Sequence, residues 1–482
     1  MKMPRIAPWA DSVAVFAVTA GLLIYRFLTG AGDFCHPESS AFLQNFTDPS
    51  RPLLHILYDP LRTDWNLYQA RELASLLDWC DAQFIKFTVL HGCTTFFSIV
   101  NALLILATVM VLHTGFRRWM PRLGRWGAAL LALLCLFAPA SGAMQFFRSA
   151  KPAASFGIAV AGIALWSLIR RRSEPLREQT GAWVALGISF VLLPVCDRQG
   201  LFAVAVTAAA AAAFLLIFSF RRGAEYFGVT SGDRARLAGL TAMSVSAVVL
   251  ATLYNLEIAP RLILHYNGYR PSFEYQNVGS AGGIFNFSGG CLYFFDNIGF
   301  TIFGIAGSFA LIAGVVLVLL WLALIRRRLG RGSGTMLLLL TVTGILTVMI
   351  LSANLMTARH HLILRPDVIH TTYFMPFLVT LILLSAVSAE VLGGETPNRG
   401  RVLLPALAAV AVSIQVFGMI LPPPGGKGLL DFYLSASPEL IRCLNDPARD
   451  PERVLLPYSF LRMIEHFRAL PRGALSQMPP TK

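Results

Sequence analysis

Long apolar runs separated by short basic loops constrain this chain more than any other feature of its sequence. Each run has about 20 residues, the length that an α-helix needs to cross the hydrocarbon core of a bilayer. Backbone polar groups in hydrocarbon must be satisfied within their own segment, so such runs form helices. Of the 482 residues, 14% are charged and 55% are hydrophobic, whereas a soluble protein has ~25% charged residues. The sequence therefore predicts an all-α integral membrane protein.

The hydropathy pattern predicts about eleven transmembrane helices within residues 1–421 and a small outward-facing segment, residues 422–482. The predicted spans are approximately Ser12–Leu28, Phe87–His113, Trp126–Phe147, Pro152–Ile169, Gly181–Val195, Leu201–Phe220, Leu237–Leu256, a run that starts between Cys291 and Phe300 and ends before Arg326, Thr335–Met356, Thr372–Leu392 and Val402–Leu421.

Basic residues follow alternate spans and so predict the orientation of the chain. Loops rich in Lys and Arg face the cytoplasm, and the basic clusters here include Arg117, Arg118, Arg170–Arg172 and Arg221. This arrangement predicts a multi-pass protein of the inner (plasma) membrane with a cytoplasmic N-terminus. It also accounts for the net charge of +14, so no nucleic-acid partner is predicted.

The first outer loop, residues 29–86, ends in a stretch with helical periodicity, Thr63–Ile85. Its apolar residues fall on one stripe, which is typical of a helix lying on a membrane surface. Asp64 stands at the start, and Tyr68, Arg71 and Glu72 follow on the same face. Asp64 is explained equally well as a cap for the first turn of the helix or as part of a polar site.

Many polar residues gather at the predicted outer boundary of the membrane. They are Asp33, Asp59, Asp64, Arg71, Glu72, Arg148, Lys151, Asp197, Arg198, Arg261, Arg270, Arg359, His360, His361, Arg365 and Asp367. Any single Arg or Lys there is explained by a side chain that reaches from a helix end to water. Together they suit a phosphodiester or pyrophosphate at the lipid boundary, beside which a carboxylate can act as general base.

Metal and cofactor chemistry has little support in the sequence. His360, His361 and His370 lie near Asp367, but their spacing is not diagnostic of a metal site. No cofactor is predicted, and a divalent metal is not indicated.

Two stretches resemble the membrane glycosyltransferases of the GT-C superfamily, which use polyprenyl-phosphate-linked sugars and include protein mannosyltransferase and aminoarabinose transferase types. One is TDWNLYQAREL, with an acidic residue, Asp64, before an amphipathic helix at the end of the first outer loop. The other is ARHHLILRPDVIHTTYFMPFL, a basic and aromatic entry into a late helix that contains Arg359, Tyr373 and Pro376.

The resemblance implies inverting transfer of a sugar from a lipid phosphate donor to a lipid or glycan acceptor at the periplasmic face. Asp64 would be the general base. Many relatives have two adjacent acidic residues in this loop, whereas Trp65 follows Asp64 here, so Asp33 and Asp59 are alternative bases. The expected substrate-binding residues are Tyr68, Arg71, Glu72, Arg148, Lys151, Asp197, Arg198, Arg359, His360 and His361, with Arg148, Lys151, Arg198 or Arg359 near the donor phosphate.

Two other functions fit parts of the pattern. A transporter usually places ionisable groups near the middle of the bilayer, whereas the predicted spans carry almost none there, Asn101 being the polar exception. A polymerase or ligase of surface polysaccharide would share the lipid phosphate substrate and would carry its chemistry in a later outer loop.

Overall fold

The computed structural model describes residues 9–28, 45–48, 50–58, 67–68, 71–90, 98–137, 149–227, 229–269, 272–273, 344, 374–392, 408–413 and 415. Its principal helices are α1 Ala10–Leu28, α2 Leu53–Tyr58, α3 Glu72–Leu90, α4 Ile99–Trp119, α5 Gly124–Phe137, α6 Ala150–Arg170, α7 Thr180–Cys196, α8 Arg198–Ser219, α9 Arg221–Phe227, α10 Ser231–Leu253, α11 Ala259–Asn267 and α12 Met375–Leu392. A π-helical segment, Tyr254–Ile258, joins α10 to α11, and two strands, β1 Leu67–Tyr68 and β2 Ser272–Phe273, pair in parallel.

Five helical segments in this described part are long and apolar enough to cross a membrane: Ile99–Trp119, Ala150–Arg170, Leu176–Cys196, Arg198–Ser219 and Ser231–Asn267. Residues 10–24 and 375–390 form shorter apolar helices. The predicted helical membrane class is thereby confirmed. The count of eleven spans stays a prediction, because most of residues 274–373 and 393–482 lie outside the described residues.

The fourth, fifth and sixth predicted spans match α6, α7 and α8 to within one helical turn. The second does not, since α3 continues to Leu90 and α4 begins only at Ile99. Ser98 caps α4 by accepting a hydrogen bond from the Asn101 backbone at 3.2 Å. The hydropathy run extends across this boundary because apolar residues, Phe96, Phe97, Ile99 and Val100, flank Ser98 on both sides in the sequence.

The amphipathic helix predicted for Thr63–Ile85 is wrong at its beginning. The preceding stretch contains β1, and α3 begins at Glu72. Tyr68 and Arg71 therefore lie before the helix and do not share a helical face with Glu72. Local periodicity misses this because β1 pairs with β2, a partner distant in the sequence. Asp64 lies outside the described residues.

Helix α6 lies at the centre of the bundle, in contact with α4, α7 and α12. Glycines allow two of these approaches: a Cβ added at Gly157 would be 2.7 Å from Leu193 of α7, and one at Gly162 would be 2.7 Å from Leu383 of α12. Close approach through small residues is the common means of packing helices in membranes, where no hydrophobic driving force operates between them.

The N-termini of α4, α6 and α8 lie at one end of the bundle, here named the Asp197 end. Helix α3 contacts α4, α6 and α7, and two of its carboxylates serve helix N-termini. Asp78 accepts hydrogen bonds from the backbone and hydroxyl of Ser149, at 2.7 and 2.8 Å, at the start of α6. Asp81 accepts from the Ser98 hydroxyl and from the Val100 backbone at the start of α4. These carboxylates supply acceptors for N–H groups that have no partner within their own helix.

The opposite end of the bundle, here named the Glu390 end, contains the C-termini of α4, α6 and α12. Glu390 is buried, accepts a hydrogen bond from the Arg122 backbone at 3.0 Å and pairs with Arg170 at 3.1 Å. Arg117 pairs with the buried Asp11 of α1 at 3.3 Å. Cations at helix C-termini interact favourably with the helix dipole, so these pairs fix helix ends as well as neutralise buried carboxylates.

Asp81 should make stability depend on pH. Burial raises the pKa of its carboxyl from 3.8 to about 7, so the folded protein binds this proton more tightly than the unfolded chain does. The free energy of unfolding should therefore fall as pH rises from 3.8 to about 7, by up to about 4 kcal/mol. Thermal unfolding in detergent at pH 5 and pH 8 should show this fall in the native protein and a smaller one in Asp81→Asn. Glu225→Gln, at a carboxylate that is 63% exposed, should retain the native pH dependence, and an unchanged slope in Asp81→Asn would contradict the assignment.

Candidate functional site

A buried carboxylate with two cations forms the core of the Asp197 end. Asp197 has no exposed surface, and its Oδ1 lies 2.6 Å from the Lys151 Nζ while its Oδ2 lies 3.3 Å from an Arg71 Nη2. The Lys151 and Arg71 side chains are 11% and 19% exposed. These three residues, here named the Asp197 cluster, come from the residue before α3, the first turn of α6 and the corner between α7 and α8.

The corner between α7 and α8 fixes the position of Asp197. Its backbone is extended, with φ −165° and ψ 157°, and its Oδ1 accepts a hydrogen bond from the Gln199 backbone at 3.0 Å. This is the geometry of a helix N-cap. A Cβ at Gly200 would collide with the Leu193 carbonyl oxygen, so the tight turn requires glycine there. The sequence of the turn therefore holds the carboxylate at the first turn of α8.

The electrostatics of the cluster keep Asp197 ionised. Burial by itself raises the pKa of this carboxyl, but the nearby Lys151 ammonium and Arg71 guanidinium and the Gln199 backbone N–H more than offset burial and hold the pKa well below its usual range. Arg198, the next residue, also lies near enough to act electrostatically on Lys151. A carboxylate with such a low pKa is a poor proton acceptor, so its role is to hold the cations in place.

Tyrosines from α2 and the π-helical segment lie beside this cluster. The hydroxyl oxygens of Tyr58 and Tyr254 are 3.3 Å apart, and Tyr254 also hydrogen-bonds to Glu72, the residue after Arg71. The Tyr58 ring stacks on Tyr266, with centroids 5.8 Å apart and planes inclined by 8°. Glu72 therefore contacts these tyrosines and directly follows Arg71 of the cluster in the chain.

Two histidines extend this surface, which we name the tyrosine patch and define as Tyr58, Tyr254, Tyr266, His55 and His265. His55 and His265 contact the Tyr266 ring edge-on, with centroid distances of 5.5 and 4.9 Å. Aromatic rings and hydroxyl groups of this kind suit a ligand with both apolar and hydrogen-bonding faces, such as a sugar ring.

The structure brings together several of the residues predicted from the sequence. Arg71, Lys151 and Asp197 are in contact, Arg198 adjoins them, and Glu72 meets the tyrosine patch. The position of Tyr68 is described only through its backbone in β1. The other predicted residues lie outside the described residues: Asp33, Asp59, Asp64, Arg148, Arg359, His360 and His361.

Sequence reasoning missed Tyr58 and Tyr254 and the capping role of Asp78 and Asp81. Tyr254 falls within the seventh predicted span, and the signal available there was a tyrosine and Asn255 within an otherwise apolar run. No local signal pairs Tyr254 with Glu72, since that contact depends on how α10 and α3 are arranged.

In the described part of the chain, no three His, Cys, Asp or Glu side chains form a group able to hold a metal ion. The histidines at 360, 361 and 370 and Asp367 are not among the described residues.

No family model, curated protein or solved structure matches this chain.

Asp197→Ala should lower the stability of the protein strongly. The substitution removes the buried counter-charge of two cations, at a cost of ~3–5 kcal/mol, and also removes an N-cap, worth ~1 kcal/mol. Asp197→Asn keeps an acceptor for the Gln199 backbone and should cost less. Thermal unfolding in detergent measures both, with Glu257→Ala, at a carboxylate that is 61% exposed, as the control. Because the pKa of Asp197 is lowered, its stabilisation is present above the unfolded value of ~3.9 and is lost only in acid, so the difference in stability between the native protein and Asp197→Ala should be smaller in acid below this value than at pH 6. Equal, small effects of Ala and Asn would show that the pair contributes little.

Proposed function

We propose that this protein is a membrane glycosyltransferase of the GT-C type, which moves a sugar from a polyprenyl-phosphate donor to a lipid or glycan acceptor. The observation that carries the proposal is the Asp197 cluster, in which a guanidinium and an ammonium are held by a buried carboxylate at one end of an apolar helical bundle. A lipid phosphate has its charge at that depth and needs cations that are already in place.

In the proposed reaction, the cations stabilise the phosphate that leaves the sugar. As the bond between the anomeric carbon and the phosphate oxygen breaks, its electron pair and negative charge pass to the phosphate, which Arg71, Lys151 and Arg198 stabilise. The acceptor hydroxyl attacks the anomeric carbon from the opposite side and gives its proton to a carboxylate. The products are the glycosylated acceptor with inverted configuration and the polyprenyl phosphate. The tyrosine patch would hold the sugar ring.

The proposed base is Asp64, with Asp33 and Asp59 as alternatives. Asp197 is unsuited to the role because the neighbouring cations lower the pKa of its carboxyl. The assignment to Asp64 depends on its place in the first outer loop and on the resemblance of TDWNLYQAREL to the superfamily. Asp64 and Arg71 are close enough in the sequence for both to contact one substrate.

The proposed location is the inner membrane, with the Asp197 end at the periplasmic face. The support is the distribution of arginines, since Arg117, Arg118 and Arg170–Arg172 all lie at the Glu390 end and basic residues favour the cytoplasmic side. In this orientation the donor phosphate is held at the outer boundary of the bilayer.

A transporter is disfavoured by the depth of the buried charges. Asp197 lies between α7 and α8, Asp11 lies in the first turn of α1, and Glu390 lies near the end of α12. Asn101 belongs to the first turn of α4, so the expectation that it lies at mid-depth is wrong. Transport sites usually lie near the bilayer midplane. A polysaccharide polymerase or ligase would share the phosphate chemistry. The activity of Asp64→Asn distinguishes it from the proposed glycosyltransferase.

Arg71→Ala and Lys151→Met should weaken use of the donor. Loss of one charge-assisted hydrogen bond to phosphate costs ~1.5–3 kcal/mol, equivalent to about a 10- to 100-fold rise in KM for the donor. The measurement is transfer of radiolabelled sugar from a panel of polyprenyl-phosphate hexoses to endogenous acceptors in membranes. Direct binding of polyprenyl monophosphate to purified protein gives a second readout that needs no acceptor.

Arg71→Lys, which retains the charge, and Arg221→Ala, at an exposed arginine of the other end, are the controls. Both should leave donor binding near the native level. Native protein that neither transfers any sugar of the panel nor binds polyprenyl monophosphate would refute the proposed function.

Asp64→Asn should abolish transfer and leave donor binding intact. Removal of a general base lowers kcat by ~10²–10⁴-fold, whereas the amide retains the shape of the side chain. Purified variant should show the native thermal midpoint and native affinity for polyprenyl monophosphate. Asp33→Asn and Asp59→Asn are matched controls; if one of them loses activity and Asp64→Asn does not, that residue is the base. Full activity of all three variants would favour a polymerase or ligase with its chemistry in a later loop.

A further inference from the structure

The beginning of α3 is tied to two distant parts of the chain by adjacent side chains. Arg71 lies 3.3 Å from Asp197, at the corner between α7 and α8. Glu72, the first residue of α3, hydrogen-bonds instead to Tyr254, in the π-helical segment after α10. The Ser75 backbone N–H donates to the Arg71 carbonyl oxygen at 2.7 Å, so the first turn of α3 starts from Arg71 itself.

Tyr254 lies in an unusual piece of backbone. It begins the π-helical segment Tyr254–Ile258, in which the Ala259 N–H donates to the Tyr254 carbonyl oxygen. The buried Asn255 side chain donates to the Ala251 carbonyl oxygen at 2.8 Å and so helps to stabilise this turn. Turns of π-helix are rare and occur frequently at functional sites. This one lies where the chain leaves α10 and meets α2 and α3.

Further contacts hold the same segment against the chain that precedes α3. The Tyr58 and Tyr254 hydroxyl oxygens are 3.3 Å apart, and the Asn267 amide donates to the His55 carbonyl oxygen at 3.4 Å. Strand β1, which precedes α3, pairs with β2, which follows α11. The π-helical segment and α11 are thereby fixed against α2 and β1, and Tyr254 extends these contacts to α3 through Glu72.

A hydrogen bond at Glu72 affects Arg71 because the two residues are adjacent. Successive Cα atoms are ~3.8 Å apart, so Arg71 must follow any displacement of Glu72. A hydroxyl that donates to a carboxylate makes a stronger hydrogen bond than one between neutral groups. Side chains that bind a ligand keep their affinity only when neighbouring hydrogen bonds hold them within ~0.5 Å of the productive position.

We propose that Tyr254 is a positioning residue for Arg71. Its hydrogen bond with Glu72 fixes the start of α3, and this holds the Arg71 guanidinium in place beside Asp197 for the donor phosphate. The consequence for the donor rests on the proposed function, whereas the placement of Arg71 against Asp197 does not. Tyr254 thus acts on the phosphate through Arg71, in addition to its place in the tyrosine patch.

Binding of polyprenyl monophosphate to the purified protein tests this role, because that ligand has no sugar for the tyrosine patch to contact. Tyr254→Phe keeps the ring and removes the hydroxyl, and it should weaken binding about three- to tenfold, the scale of one hydrogen bond. In the Arg71→Ala background the same substitution should change the affinity less than about twofold, because the residue that it positions is gone. It should likewise add little in Glu72→Ala.

Thermal unfolding in detergent tests the positioning without any donor. Arg71→Ala breaks the pair with Asp197 and lowers the thermal midpoint. This drop should be smaller in the Tyr254→Phe background, where the pair is already weakened. The matched control is Arg117→Ala at the Glu390 end, since Arg117 also lies 3.3 Å from a buried carboxylate, that of Asp11. Its effect should add to that of Tyr254→Phe, as expected for distant sites.

A second control removes a hydroxyl close to Tyr254 in the chain. The Thr252 hydroxyl donates to the Val248 carbonyl oxygen within α10, at 2.8 Å. Thr252→Val should therefore leave binding of polyprenyl monophosphate and the effect of Arg71→Ala at their native values.

Two results would overturn the inference. One is additivity of Tyr254→Phe and Arg71→Ala in either measurement, which would make Tyr254 a purely structural residue. The other is native binding of polyprenyl monophosphate by Tyr254→Phe together with a raised KM for the sugar-bearing donor, which would indicate direct contact with the sugar. Native protein that does not bind polyprenyl monophosphate counts against the proposed function, and thermal unfolding then still decides whether Tyr254 positions Arg71.

Discussion

Hydrogen-bond acceptors for helix N-termini are the constraint on which the Asp197 end depends. The first N–H groups of a helix have no partner within it, and little water reaches them in a packed apolar bundle. Carboxylates of α3 meet this need for α4 and α6, and Asp197 meets it for α8. Because these three helices are parallel, their N-termini and hence their carboxylates gather at one end. The fold thus concentrates charge there before any ligand is considered.

Asp197 combines two roles that are usually separate. The same carboxylate caps α8 and holds Lys151 and Arg71, so the cations are fixed by the element that completes the helix. Buried charges are costly unless they are paired and hydrogen-bonded, and here Lys151 and Arg71 supply the pairing and the Gln199 backbone supplies a hydrogen bond. Cations held in this way need little rearrangement on meeting a phosphate, which is the condition for electrostatic stabilisation of a leaving group.

The two ends of the bundle use the same residue types at opposite helix termini. At the Asp197 end, acids serve helix N-termini and draw in cations; at the Glu390 end, arginines lie at helix C-termini and draw in acids such as Asp11 and Glu390. For α4, α6 and α8 the helix dipole gives the physical reason, being positive at their N-termini and negative at their C-termini. Arg236 follows this rule by donating to the carbonyl oxygens of Arg172 and Glu174 beyond the end of α6.

The sequence by itself determined the helical membrane class, the extents of α6, α7 and α8 and the presence of cations and carboxylates at helix ends, because hydropathy and charge act over one helical turn to one span. Only the tertiary structure decided that Arg71 meets Asp197, that Tyr254 meets Glu72, and that α3 begins after β1. Such contacts depend on which helices are neighbours. Which helices are neighbours depends on the fit of small and large side chains from distant segments, as at Gly157 and Leu193. This fit produces no periodic pattern in the sequence.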